Sequence, residues 1–560
     1  MARYIRKTSL LRYGRAVLAA ACLLFPIASQ AQSYYFASGS STNSAPMGAS
    51  NLGFGFGTFF SLTLGVNNTA IGNSALESNT TGSHNTGIGF QALASNATGQ
   101  YNTASGENAL YSNATANYNT ASGYQALYNS YAGNNNTASG SLALYNNTTG
   151  NDNTATGYGA LYNNTSGNNN TASGSSALYL NTTGFDNTAS GYQALYNNNT
   201  GYYNVADGYQ ALYNNNGNYN TAVGVFTLFS NTTGEQNTAM GYGTLYSNTT
   251  GLGNSAFGLN ALYNNTTGGG NMANSSYALY ANTTGSYNMA SGYASLYKNT
   301  TGISNTAYGY ETLYNNTLGN WNTAYGLNAL KALNGNGGST AATAGNLNIG
   351  VGYGAGQNIT TGSNNIAIGN YGNASDNGVI RIGTVGTQGS TFIAGINGVT
   401  ASQGVAVYIN ANGQLGTLTS SARFKFDIHS LGAETDKLMD LRPVSFRYKQ
   451  AVEDGSHPIQ YGLIAEEVAK VYPQMVQYDK EGKPFTVYYQ QLTPMMLHEL
   501  QAQNTKIHSL EDRMAKLEAM LQPQSSETRP ASHPLALLAS VLGIGLAGTL
   551  FVSVRAHRSR

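Results

Sequence analysis

The sequence predicts a mainly β chain, built as a long β-solenoid or β-roll rod, then a small α+β domain, a short coiled coil and one transmembrane helix. Three observations carry this. A seventeen-residue unit recurs through the middle of the chain, with one leucine always in the same register. Charge falls in two zones, with eleven Asp, Glu, Lys or Arg residues between Gln32 and Thr419 and thirty-one between Ser420 and Arg560. Near the end, Leu535 to Val554 is a run of twenty residues without a charge. At 560 residues the chain is too long for one compact domain, and its net charge of +1 offers nucleic acid no electrostatic footing.

Residues 1–31 read as a secretory signal. Arg3, Arg6, Lys7, Arg12 and Arg15 precede an apolar run from Ala16 to Ala28, and Ser29-Gln30-Ala31 is a small-x-small cleavage site. A lipoprotein signal ending at Cys22 is the rival, but it leaves an apolar stretch of only about six residues. Cys22 is the single cysteine, so a chain processed after Ala31 forms no internal disulfide and offers no thiolate metal site. No cofactor or metal is expected.

After an N-terminal segment (32–66), the repeat occupies 67–333. A unit resembling NTASGYQALYNNTTGxx starts near Asn68 and recurs in sixteen copies to Asn322, with a single step of sixteen residues between Asn204 and Asn220. Leu76, Leu93, Leu110 and their successors to Leu330 share one register. The residue after the Thr position is Ala in every copy except at Gly87, and the Gly two places later is missing only at Ser275. Seventeen residues are too few for a helical-hairpin repeat but suit one solenoid coil. Thr-Ala-x-Gly and Tyr-x-Ala-Leu-Tyr are expected as its two strands, and Asn-Asn-Thr-Thr-Gly as turn. Stacked coils then align Ala and Leu into a narrow core, and Asn and Thr into ladders along the axis. Sixteen coils at strand spacing would span about 77 Å. One coil buries little, so stability comes from stacked neighbours, and from other chains. Disorder is the alternative for so polar a tract, but a disordered tract has no reason to keep phase. The abundant Asn-x-Thr triplets read as turn chemistry rather than glycosylation acceptors.

A Gly/Ala/Thr spacer (334–345) leads to a second block and connector (346–419). There, Asn348-Ile349-Gly350-Val351-Gly352 and Asn365-Ile366-Ala367-Ile368-Gly369-Asn370 again sit seventeen apart. This pattern resembles the head repeats of trimeric autotransporter adhesins, which implies a β-roll in which three chains pack together.

From Ser420 the chain changes character. Ser420-Ser421-Ala422-Arg423-Phe424-Lys425-Phe426-Asp427-Ile428 is followed by Leu441-Arg442-Pro443-Val444-Ser445-Phe446-Arg447-Tyr448-Lys449 and by Gly462-Leu463-Ile464-Ala465-Glu466-Glu467-Val468. In that order these segments resemble the intramolecular chaperone domain that ends phage endosialidases and tail fibres and also occurs in the myelin regulatory factor of animals. Glu466 departs from the Gln common there. The resemblance places this domain at 420–496. It implies a homotrimer that cleaves itself just before the first Ser of the motif, with Ser420 as nucleophile, Lys425 as base and Thr419–Ser420 as the scissile bond. The chemistry needs a base to take the serine proton, and a lysine serves only where burial or nearby positive charge favours its neutral form. Arg423 is a candidate for that support. By themselves, a Ser and a Lys five residues apart would read as a solvated loop. His429, His457 and His498 show no metal-ligand spacing, and no Gly-rich stretch opens a phosphate-binding helix.

Residues 497–522 carry a coiled-coil pattern, with Leu500, Ile507, Met514 and Leu521 in one heptad series and Gln503, Leu510 and Leu517 in the other. Three heptads are marginal alone, so the coil is expected to extend a trimer held elsewhere. A Pro/Ser/Thr-rich linker (523–534) precedes the membrane helix (535–554), whose Ala539, Gly543 and Ala547 form a small-xxx-small seam. Arg555, Arg558 and Arg560 follow, which assigns 555–560 to the cytoplasm and everything before the span to the exported side, periplasmic or on the cell surface. The functional expectation is a membrane-anchored, adhesin-like fibre with a surface or glycan as the rod's ligand. A polysaccharide-cleaving rod is the alternative, but its sparse acidic residues (Glu77, Glu107, Asp152, Asp186, Asp207, Glu235, Glu311, Asp376) occupy differing repeat positions. Six cytoplasmic residues are too few for a released membrane fragment to act as an effector.

Overall fold

The computed structural model describes residues 34–36, 50–334, 345–394, 396, 402–410, 413–452, 455–479 and 481–521. The expected signal, membrane helix and cytoplasmic tail lie outside these residues. Among the described residues no helix is long and apolar enough to cross a membrane. The chain divides into two compact units, Met1–Ile393 and Ala394–Arg560.

The first unit is a β-solenoid. Twenty-one strands, from β1 (Tyr34–Phe36) to β21 (Ile380–Ile382), form one sheet in which each strand pairs in parallel with its predecessor and successor. Register is strict, as in Thr120↔Thr137, Ala121↔Ala138 and Ser122↔Ser139. From β2 (Leu52–Phe54) to β20 (Ile366–Ile368) the middle residue of each strand points inward and is buried, while its two neighbours face outward. The spacer does not divide the rod into two blocks. β18 (Thr323–Tyr325) pairs directly with β19 (Ile349–Val351), so 335–344 is an insertion between neighbouring coils.

Each coil has one three-residue strand, not the two expected. In the coil that begins at Thr120, Ala126 and Leu127 are buried but belong to a turn, and Leu127 has φ +51°. Gln125 and Asn135 are also left-handed, at φ +53° and +59°. Such a conformation costs roughly 1–2 kcal/mol per residue, so something must hold it sixteen times over. Inter-coil hydrogen bonds do this. The Gln125 amide donates back to Glu107 O at 2.9 Å, whereas the Leu127 amide donates forward to Ala143 O at 2.9 Å. The left-handed residues turn successive peptides to opposite coils, and the same corner brings Leu127 inward. Gly123 has φ +139°, and a Cβ there would sit 2.5 Å from Gly140 O, so this place takes glycine.

The expected ladders are present and are buried. Asn136 donates its backbone N and Nδ2 to Asn119 Oδ1 at 2.9 and 3.1 Å, and Nδ2 also donates to Gly150 O at 2.8 Å. A second row runs through the turns, where Asn164 Nδ2 donates to Asn147 Oδ1 at 2.7 Å and to Gly167 O at 2.9 Å. Threonine hydroxyls donate across coils too, as from Thr165 Oγ1 to Thr182 O at 2.9 Å. Asn147 is fully buried, which fits a structural use of its Asn-Thr-Thr triplet. From Leu110 to Leu313 the residue after the core leucine is aromatic, tyrosine except at Phe229, and stacks on its equivalent in the next coil, with Tyr128 and Tyr145 rings 5.1 Å apart and 5° from parallel. The ladder closes at Asp376 and Arg381. Arg381 stands in register with core residue Ala367 and donates to the buried Asp376 carboxylate at 2.6 and 2.7 Å, putting an ion pair at the end of the apolar core.

The second unit is small and α+β. Antiparallel pairs join Val444–Phe446 to Gln460–Gly462 and Val476–Tyr478 to Pro484–Val487. A short helix α1 (Ala465–Val471) and a long helix α2 (Tyr489–Leu521) complete it. Val468, Tyr472, Met475, Val476, Val487 and Met495 form the core. The segment expected as a coiled coil is helical, but the helix that carries it, α2, begins at Tyr489, ahead of residue 497. Its seam residues Leu500, Ile507, Leu510, Met514 and Leu517 are exposed.

Candidate active site

The candidate site lies at the start of the charge-rich zone. Thr419, Ser420 and Ser421 are exposed and lead into a single 3-10 turn, Ala422–Phe424. The Lys425 amide closes that turn on Ala422 O at 3.0 Å. Five residues of open loop would leave Lys425 pointing anywhere. The tight turn instead folds the chain back, and Lys425 Nζ lies 3.4 Å from Ser420 Oγ. The two predicted site residues therefore meet, at a distance that is long for a hydrogen bond. The structure places Arg423 on a neighbouring ring. Its guanidinium lies over the Phe424 ring, 4.6 Å from the centroid.

All of these groups are exposed in the single chain. So are Phe424, Phe426 and Ile428, with Phe426 at 93%. Phe424, Phe426 and Ile428 alternate with polar residues, yet no strand forms here. Asp427 has φ +58° and accepts from His429 Nε2 at 2.6 Å, a pair that sequence reasoning missed because neither residue has a metal or triad spacing.

The body behind this segment is held by polar ties. Arg442 and Glu467 pair through two hydrogen bonds, and the arginine contact pulls the Glu467 carboxyl below its ordinary range. The Leu463 amide donates to Tyr489 Oη at 2.8 Å, and Tyr472 Oη donates to Glu434 O at 3.1 Å. Beside them runs an open, mostly apolar groove of about 980 Å³, lined by Leu438, Leu441, Val444, Tyr461, Leu492 and Met496 among others. Tyr461 on its rim is 81% exposed. A monomer of this size rarely leaves so many large apolar side chains in water unless another surface covers them.

No curated protein and no solved structure matches the chain. The model of the family described as chaperone of endosialidase matches residues 420–477, and its position behind a long β-solenoid fits a tail-fibre or endosialidase type of architecture, with the autoproteolytic activity that this peptidase family implies.

Proposed function

We propose that the chain is an exported, membrane-anchored trimeric fibre whose C-terminal domain drives trimerisation and then cleaves the Thr419–Ser420 bond once per chain, separating rod from anchor. The observation that carries this is the 3.4 Å approach of Lys425 Nζ to Ser420 Oγ, directly after the bond to be cut. The exposed Phe424, Phe426, Ile428 and Tyr461 support the trimer. In the proposed step, neutral Lys425 accepts the Ser420 hydroxyl proton and Oγ attacks the Thr419 carbonyl carbon. The C–N bond breaks, the Ser420 nitrogen takes the proton back, and an ester joins Thr419 to Ser420 Oγ. Water hydrolyses the ester, leaving a Thr419 carboxylate and a new N-terminus at Ser420. A lysine base works only when its ammonium is destabilised, and in an exposed loop that desolvation has to come from neighbouring subunits. Cleavage is thereby tied to assembly. Adhesion through the rod, to a surface or glycan, is the use proposed for it.

Intact mass and N-terminal sequencing test the reading on wild type, Ser420→Ala and Lys425→Met. Wild type is expected to yield a fragment that begins at Ser420, and both variants an uncut chain. Uncut wild-type trimers would instead make the domain a permanent trimerisation anchor.

A further inference from the structure

The outward positions of the solenoid sheet are not alike along the rod. From β5 (Thr103–Ser105) to β10 (Thr188–Ser190) both outward residues of every strand carry hydroxyls. Asp207, on the next strand, is the one charge at an outward position. Beyond it, from β12 (Thr221–Val223) to β18, one outward position of every strand is apolar or aromatic, as at Met240, Phe257, Met272 and Tyr308, beside a Thr, Ser or Asn, and from β19 to β21 both are isoleucine or valine; Leu52, Phe54, Ile71 and Ile88 make a shorter apolar stretch near the other end. Ile380 and Ile382, at 65% and 70%, are among the most exposed large apolar residues of the rod.

We infer that this C-proximal half of the sheet face is where copies of the rod pack on one another. The inference deepens the trimeric reading and rests on it. Two outward residues on each of ten strands give twenty, close to the roughly 20–30 that one side of a stable interface contributes. None of them is charged, so their burial carries no ionic desolvation cost. From β12 to β20 each strand already pairs on both sides, so an added peptide strand finds an open edge only at β21 and cannot cover the face. The occupant must instead mesh with side-chain rows that recur once per coil, about every 5.0 Å where Tyr308 stacks on Tyr325. A second copy of this chain in parallel has that repeat, and a globular partner does not.

Cysteine crosslinking of the full chain tests the face, because Cys22 is the only native cysteine and a Cys22→Ser background is silent. Met272→Cys and Ile366→Cys sit on the proposed face, and Thr267→Cys sits on the exposed turn five residues away. After treatment with a short bis-maleimide, the denatured monomer band is expected to be lost in the first two and retained in the third. Sedimentation of the same samples gives the oligomeric state independently. A trimer in which Met272→Cys and Ile366→Cys fail to crosslink, or in which Thr267→Cys crosslinks as well as they do, would overturn the assignment of this face and leave the trimer standing. A monomer would sink both.

Discussion

The second Asn ladder has one flaw, and repairing it should strengthen the rod. Ser130 occupies the place held by Asn113 in one neighbouring coil and Asn147 in the other. It is fully buried and its Oγ has no hydrogen-bond partner. Where an Asn precedes it in the row, Nδ2 donates to that Oδ1 and to a backbone carbonyl two or three residues on, at 2.7 and 3.1 Å for Asn96 and at 2.7 and 2.9 Å for Asn181. Ser130→Asn would restore three such bonds, to Asn113 Oδ1, to Gly133 O and from Asn147 Nδ2. Each contributes about 0.5–1.5 kcal/mol net, and the unpaired buried hydroxyl it replaces costs about 1–3 kcal/mol. These contributions belong to neighbouring groups and do not add in full, and fixing the longer side chain costs entropy, so a gain of roughly 1–3 kcal/mol is expected. Coils couple only to their neighbours, so the gain should be local. Native-state hydrogen exchange on peptides covering residues 113–150 should show protection rising by about five- to a hundredfold, since 1.4 kcal/mol is a factor of ten. Ser130→Ala, which deletes the unpaired group without restoring any bond, is the control and should give a smaller gain or none. Unchanged or weakened protection in Ser130→Asn would refute the ladder as a stabilising device.

Three other outcomes follow from the same physics. Asn170→Ala removes the Oδ1 acceptor of both the Asn187 amide and Asn187 Nδ2, so the coils around it should lose about 1–3 kcal/mol, read as lost exchange protection at 170–187 with distant coils unaffected. The Asp376 carboxyl is held below its ordinary range, first by the hydrogen bond from Arg381 and then by the Asn373 amide. A depressed folded pKa means that the stabilisation is complete above the unfolded carboxylate value near 3.9 and is lost as pH falls through the lower folded value. The last coil should therefore become protease-sensitive in strong acid while earlier coils persist, and Asp376→Asn should show that sensitivity at neutral pH. Leu161→Ala, at a fully buried position, should cost about 2–5 kcal/mol in denaturant titrations, whereas Thr171→Ala on the outer sheet face should cost under 0.5 kcal/mol.

The sequence by itself determined the period of the rod, the inward Ala and Leu, the Asn rows and the junction at Ser420. Each is a one-dimensional signal, since a stacked solenoid places residues a fixed number apart on top of one another and repetition alone reveals it. It did not disclose that Tyr-x-Ala-Leu-Tyr forms a corner. Apolar alternation looks the same for a strand and for a left-handed turn that buries its leucine, and the choice is made by carbonyls sixteen residues away, such as Ala143 O for the Leu127 amide. Nor did the spacer betray that β18 and β19 pair across it, because the pairing is between backbones and carries no composition. In the second unit the motif named Ser420 and Lys425, but only the 3-10 turn at Ala422–Phe424 brings them to 3.4 Å. The groove beside α2 and the uncovered Phe426 and Tyr461 were likewise decided by folding, since exposure is a property of what the rest of the chain leaves unburied.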